Sequence, residues 1–192
     1  MVIVRCWLEQ LFNCAFESAV FQNIIFNPEM LNLLFDNEQF HVQKIAIGTS
    51  NITLGNFVNF GLNRFAISDI FALGDPDISE QHTDILFNII KNEGKKLPQT
   101  SLGIFNKFSR LYNLVIEYIT TSKDISKMVP SIGLVYESLE NCKLPKKAKI
   151  IKTNGDFTKY EIVNIYNPKL KFLVWFDKLR TVFYVNIKKM EE

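Results

Sequence analysis

KKAKIIKTNGDFTKYEIVNIYNPKLKFLVWFDKLRTVFYVNI, residues 146–187, is the stretch on which the fold class turns. Apolar and polar side chains alternate through much of it, which is the period of a half-buried strand. Lys146–Thr153 reads as one strand. Asn154-Gly155 is a hairpin signal, because Asn and Gly tolerate the positive φ of a type I′ turn. Residues 157–166 form the returning strand, and Asn167-Pro168-Lys169 turns the chain into a third, Leu170–Phe176. Asp177-Lys178-Leu179-Arg180 then leads into a fourth, Thr181–Ile187. Connections this short favour pairing between neighbours, which predicts a four-stranded antiparallel meander.

Upstream the period reads as helical. In residues 102–121, Phe105, Phe108, Leu111, Tyr112, Val115, Ile116 and Ile119 follow the i, i+3, i+4, i+7 rule, so this helix is expected to cover one sheet face. Another short helix is expected from Asp124, interrupted at Pro130 and restarting at Ser131 to about Asn141. Asp77-Ile78-Ser79-Glu80 resembles a capping box and opens a helix to Asn92. Asn27-Pro28-Glu29 starts a shorter helix, and 54–60 and 63–73 read as two more. Only 40–47, ended by Gly48, reads as a strand in this half.

At the N-terminus, Arg5, Glu9, Asn13 and Glu17 recur every four residues, a narrow polar stripe on a predicted helix over 3–22. Its remaining girth is apolar, so it must be buried within its own domain or against a partner. Trp7, Leu11, Phe12 and Phe16 are the candidate partner-binding residues. The expected fold class is therefore α+β: a helical N-terminal half, then helices packed on a C-terminal four-stranded antiparallel meander. Gly94–Thr100 is the best linker, dividing residues 1–94 from 95–192 as two subdomains of one chain.

The charge distribution follows the same division. Residues 1–94 carry four basic and eleven acidic groups, a net −7, and 95–192 carry eighteen basic and nine acidic groups, a net +9. Such asymmetry points to an anionic partner for the basic half, unless the halves neutralise each other across an internal interface. With 18 Asn, 18 Lys, 6 Ala and 4 Arg the codon usage is AT-biased, which accounts for part of the lysine excess. The 47% of hydrophobic residues excludes a disordered chain, and three cysteines are too few for a disulfide scaffold. Cys6, Cys14 and Cys142 have no paired spacing and read as reduced thiols of a cytoplasmic protein, with Cys6 and Cys14 as small core residues. Charged and polar residues interrupt every apolar run short of the twenty or so residues that a membrane helix needs.

A search for chemistry returns little. His41 and His82 are the only histidines, and neither they nor the cysteines have metal-ligand spacing, so no metal and no cofactor is expected. Neither a Gly-x-Ser-x-Gly elbow, nor a Walker loop, nor a Gly-x-Gly-x-x-Gly strand–helix turn occurs. Cys142 beside Lys143 is the one thiol in an electropositive sequence context. No catalytic residue is assigned.

Basic residues give the sharper signal. Lys143, Lys146, Lys147, Lys149 and Lys152 form the densest run, and Lys159, Lys169, Lys171, Lys178 and Arg180 decorate the meander, with Lys188 and Lys189 beyond them. Phe157, Tyr160, Tyr166, Trp175 and Tyr184 are interleaved with them. Lysines hold phosphates and exposed rings stack on unpaired bases. The glycine-aromatic signature of an RNA-recognition motif is missing. These observations predict a non-enzymatic binding protein that docks on structured RNA or a ribonucleoprotein, such as a ribosome, through its basic half. The alternatives are a protein–protein adaptor using the 3–22 helix and an enzyme of unrecognised type. The bland reading of the same lysines is a solvated sheet face protected from aggregation.

Overall fold

A computed structural model describes residues 6, 9–11, 13–22, 38–48, 54–74, 82–103, 110–140, 142–155, 157–179 and 181–190. Nine strands lie in one sheet: β1 (Ala15–Gln22), β2 (Phe40–Gly48), β3 (Phe65–Gly74), β4 (Gln99–Gly103), β5 (Ser131–Tyr136), β6 (Lys149–Asn154), β7 (Phe157–Val163), β8 (Lys171–Leu179) and β9 (Val182–Lys189). Three helices, α1 (Leu54–Arg64), α2 (Thr83–Asn92) and α3 (Arg110–Thr121), connect β2 to β3, β3 to β4 and β4 to β5. The strand order is β1-β2-β3-β4-β5-β9-β8-β7-β6. Pairing is parallel from β1 to β5 and antiparallel from β5 onward.

This order decides where the helices go. Each parallel step moves the same way along the sheet, and crossovers of one hand then land on one face. The packing agrees. Leu54, Val58 and Leu62 of α1 recur every four residues and are buried, so they share one helix face. Gly61 lets α1 come close: a Cβ there would lie 3.1 Å from Phe71 Cε2 and 3.5 Å from Ile47 Cδ1. Through the register, Phe71 shares a row with Thr100, Ile132, Ile187 and Val174. Tyr112 of α3 sits over that same face, its ring 5.9 Å from Phe176, two residues beyond Val174. Phe87 of α2 meets Tyr118 of α3 edge-on at 5.8 Å. The helices and the inward-facing strand residues make one hydrophobic cluster from Val42 to Ile187. Each fully buried Leu, Ile or Phe in it contributes about 1.5–3 kcal/mol relative to exposure.

The expected fold class is overturned. The chain forms a nine-stranded mixed sheet, and the described part of its N-terminal half supplies three of those strands, β1, β2 and β3, as well as α1 and α2. Helical backbone is found at Cys6 and Glu9–Leu11, but Ala15–Gln22 is a strand, so the polar stripe of the predicted 3–22 helix does not exist as a stripe. Residues 65–74, expected within a helix, are β3. Its helix side is Phe65, Ile67, Phe71 and Leu73, and its other side includes Ala66, Ile70 and Ala72, so almost no polar alternation marks it as a strand. Helix α3 begins at Arg110, and Gln99–Gly103 is spent on β4. Residues 124–128 turn without forming a helix, and Ser131–Tyr136 is β5. The C-terminal strands do pair in chain order, with Gly155 at a φ of 57° in the hairpin, but β9 continues into β5 and the meander is no separate sheet. The helix start at Asn27 and the Asp77–Glu80 box lie outside the described residues. Among the described residues, no helix is long and apolar enough to cross a membrane.

Candidate nucleic-acid interface

With α1, α2 and α3 on one side, the opposite face carries no helix among the described residues. Register alone sets its composition. One row runs Lys152, Lys159, Trp175, Asn186, Gly133, Ser101, Ala72, Ala46 and Val20 across the sheet. A second runs Lys149, Glu161, Leu173, Lys188, Ser131, Gln99 and Ile70. A third holds Phe157, Asp177, Tyr184, Val135, Gly103 and Gly74. The parallel end of this face is thus floored by small residues. The antiparallel end carries three rings and most of the lysines.

Local contacts fix several of these side chains. Lys159 Nζ lies 5.6 Å from the centroid of the Trp175 ring, a cross-strand cation–π pair. Lys171 Nζ reaches Glu161 Oε2 at 3.6 Å. Asn186 Oδ1 would lie 3.5 Å from a Cβ on Gly133, so the amide stands beside that bare backbone. Phe157 and Trp175 are half-buried, and Tyr184 is 37% exposed. These rings sit on adjacent strands, on the face opposite the helices.

The structure gathers only part of the predicted basic set. Lys149, Lys152, Lys159 and Lys171 share the open face, and Lys188 joins them. Lys169 lies in the β7–β8 turn at its margin. Lys143, Lys146 and Lys147 sit elsewhere, on the connection from β5 to β6. That connection follows the helix layer, since Leu139, Leu144 and Ala148 pack on the core and Lys143 N donates to Asn113 Oδ1 of α3 at 3.0 Å. Lys178 falls on the helix-side register of β8, over the Phe183 ring at 5.6 Å. Arg180, Trp7 and Phe12 lie outside the described residues. Of the proposed partner-binding residues, Leu11 is half-buried and Phe16 packs on the core from β1, so the adaptor reading loses the helix on which it rested.

Among the described residues, no carboxylate of the acidic half is in an ion pair with these lysines. Among the described residues, Arg110 pairs with Asp84 at 3.0 Å and Lys96 with Glu93 at 3.3 Å, both near the junction of the halves. Among the described residues from Lys143 onward, Lys171 alone is in an ion pair, and its carboxylate comes from the basic half. Both kinds of open-face residue were visible as period-two alternation. In β9, Tyr184, Asn186 and Lys188 alternate with the buried Val185 and Ile187. Gln99, Ser101, Ser131 and Gly133 carried no signal, because their strands were read as linker or helix.

The cysteines do not form a reactive centre. Cys6 and Cys14 are exposed rather than core, and Cys14 Sγ donates to Gln10 O at 3.4 Å. Burial pushes the Cys142 thiol up to about 11, so it stays protonated at neutral pH despite Lys143 beside it. Among the described residues no group of three or more His, Cys, Asp and Glu side chains is arranged to hold a metal. Residues 1–74 match the family model of a domain of unknown function, DUF8381. The match ends with β3, so the lysine- and ring-bearing strands lie beyond it. Comparison with curated proteins and with solved structures finds no match.

Proposed function

We propose that this protein is a non-enzymatic binding protein of the cytoplasm that docks on structured RNA or a ribonucleoprotein, such as a ribosome, through the open sheet face. One observation carries the reading: the Lys152–Lys159–Trp175–Asn186 row, with Tyr184 and Phe157 beside it, lies on the sheet face opposite the helices. Ammonium groups there neutralise phosphates, and Trp175 and Tyr184 stack on bases that the RNA leaves unpaired in loops or ends. Asn186, Ser101 and Ser131 supply hydrogen-bonding groups at the level of the bases.

Fluorescence anisotropy with a labelled RNA hairpin bearing a single-stranded tail, over a salt series, tests this. With Lys149, Lys152, Lys159 and Lys188 each meeting one phosphate, log K should fall against log salt with a slope of about −3. Replacing Lys152 and Lys159 by Glu should abolish binding at moderate salt, whereas reversing Lys146 and Lys147 on the helix-side connection should cost far less. Absence of binding at low salt, or equal loss from both pairs, defeats the proposal.

A further inference from the structure

At one end of the open face, where β4 and β5 begin and β9 ends, lies a cleft of about 690 Å3. Asp69, Gln99, Ser131, Lys169, Lys188 and Lys189 supply its polar lining. Its volume falls within the range of small-molecule sites. Lys188, Ser131 and Gln99 belong to one row of the open face, so the cleft opens directly onto the surface that carries the rings. Its walls are fixed by backbone bonds: Lys189 N donates to Pro130 O at 2.9 Å and Met190 N to Lys171 O at 2.9 Å. The turn that presents Lys169 is held as well, with Lys169 N donating to Asn167 Oδ1 at 3.1 Å and Leu170 N to Asn167 O at 2.9 Å.

The charge count selects the ligand. Three lysines and one aspartate line the cleft, Lys188 from the open-face register of β9 and Lys189 from its helix-side register, and among the described residues none of the three lysines is in an ion pair. The local excess of two positive charges exceeds what one phosphodiester, with a single negative charge, would balance. A phosphomonoester approaches two negative charges near neutral pH and offers three acceptor oxygens. The Ser131 hydroxyl and the Gln99 amide add neutral donors on the same wall.

We propose that this cleft receives the terminal phosphate of an RNA strand whose neighbouring bases lie on the open face. The inference rests on the RNA reading of that face and adds strand-end recognition to it. Fluorescence anisotropy would compare ten-nucleotide single-stranded RNAs of one sequence, with a phosphate or a hydroxyl at the unlabelled end, for both 5′ and 3′ ends. The expected result is at least fivefold tighter binding of one phosphorylated end. The K169Q/K189Q double variant should erase that preference, so that phosphate- and hydroxyl-ended RNAs bind it within twofold of each other. Equal affinity for phosphate and hydroxyl ends overturns the cleft assignment and leaves the face reading intact. No binding of any oligonucleotide overturns both. In a further arm, calorimetry with a nucleoside monophosphate distinguishes the source of the phosphate. A mononucleotide that binds as tightly as the phosphorylated strand shows a nucleotide pocket and overturns strand-end recognition.

Discussion

Asn164 is 1% exposed and makes four hydrogen bonds with one side chain. Its Nδ2 donates to Ile119 O and Ser122 O, each at 2.9 Å, and so satisfies carbonyls at the end of α3. Its Oδ1 accepts from Tyr166 N at 2.9 Å and Asn167 N at 3.0 Å, which shapes the turn leading to Lys169. Asn164→Ala removes all four. Tyr166 and Asn167 are exposed, so water replaces their partner at small cost. Ile119 is buried and Ser122 half-buried, and leaving their carbonyls unsatisfied costs about 1–3 kcal/mol for each. The expected loss is about 2–6 kcal/mol, or a fall in Tm of roughly 4–24 °C for a chain of this size. Asn164→Asp is the sharper variant. It keeps the acceptor for both N–H groups but turns a carboxylate oxygen toward two carbonyls. Its carboxyl pKa is therefore raised in the folded state. Stability is present below the unfolded pKa and is lost as pH rises through the folded one, so this variant should be rescued by acid. Thermal and urea unfolding between pH 4 and 8 would measure both. A Tm within about 2 °C of the parent for Asn164→Ala, or an Asp variant indifferent to pH, refutes the four-bond account.

Three further outcomes follow from the same geometry. Trp175→Ala should weaken RNA binding by about 1–3 kcal/mol, roughly 5- to 150-fold, while Tm changes little because the ring faces away from the helix-covered core; an unchanged affinity removes Trp175 from the interface. Gly94→Ala would drive a methyl group into the backbone carbonyl of Met128 and to within 2.7 Å of Lys127 O, where Gly94 N also donates at 2.8 Å; a loss of about 1–3 kcal/mol in urea unfolding is expected, and a neutral effect contradicts that packing. Iodoacetamide at pH 8 should label the exposed Cys6 and Cys14 and spare Cys142, whose thiolate forms only as pH nears 11; mass spectrometry showing all three labelled at equal rates contradicts the burial of that thiol.

Legibility in the sequence followed the chemistry of the exposed face. In β9 the alternation of Tyr184, Asn186 and Lys188 on the open side with the buried Val185 and Ile187 exposes the strand. The hairpin does turn at Gly155, but β6 runs on through Asn154, which pairs with Phe157, one residue beyond the strand end that the Asn-Gly signal implies. The parallel strands offer no such contrast. Ala66, Ile70 and Ala72 stand on the open side of β3, and Gly133 and Val135 on that of β5, so both strands read as mostly apolar segments without a period of two, which also suit a buried helix. Parallel pairing is itself non-local, since each partner lies across a helix, and no short motif announces it. The candidate site inherits this split. Its lysines and rings were visible because they alternate, while the small floor beside them and the cleft at its end depend on neighbours that only the sheet order brings together.

That order also turns a one-dimensional charge asymmetry into a spatial one. From β1 to β5 the strands add in sequence, and the meander then enters with β9 beside β5 and ends with β6 at the far edge. Residues of the acidic half therefore occupy one end of the sheet and residues of the basic half the other. A chain that folded its last four strands over the first five would have buried the face and brought opposite charges together. Here the meander extends the sheet sideways, so Lys149, Lys152, Lys159 and Lys188 stay on the face opposite the helices. On the proposed RNA reading, phosphates drawn to that end would meet Trp175 and Tyr184 within the same surface, and the uncharged floor of Gly133, Ser101 and Ala72 would give the bases room to lie flat. Electrostatic attraction and stacking would then be joined on one plane by the strand order itself. A substitution that disturbed the β5–β9 pairing should weaken both together, whereas Lys152→Gln should change the salt slope and Trp175→Ala the salt-independent affinity.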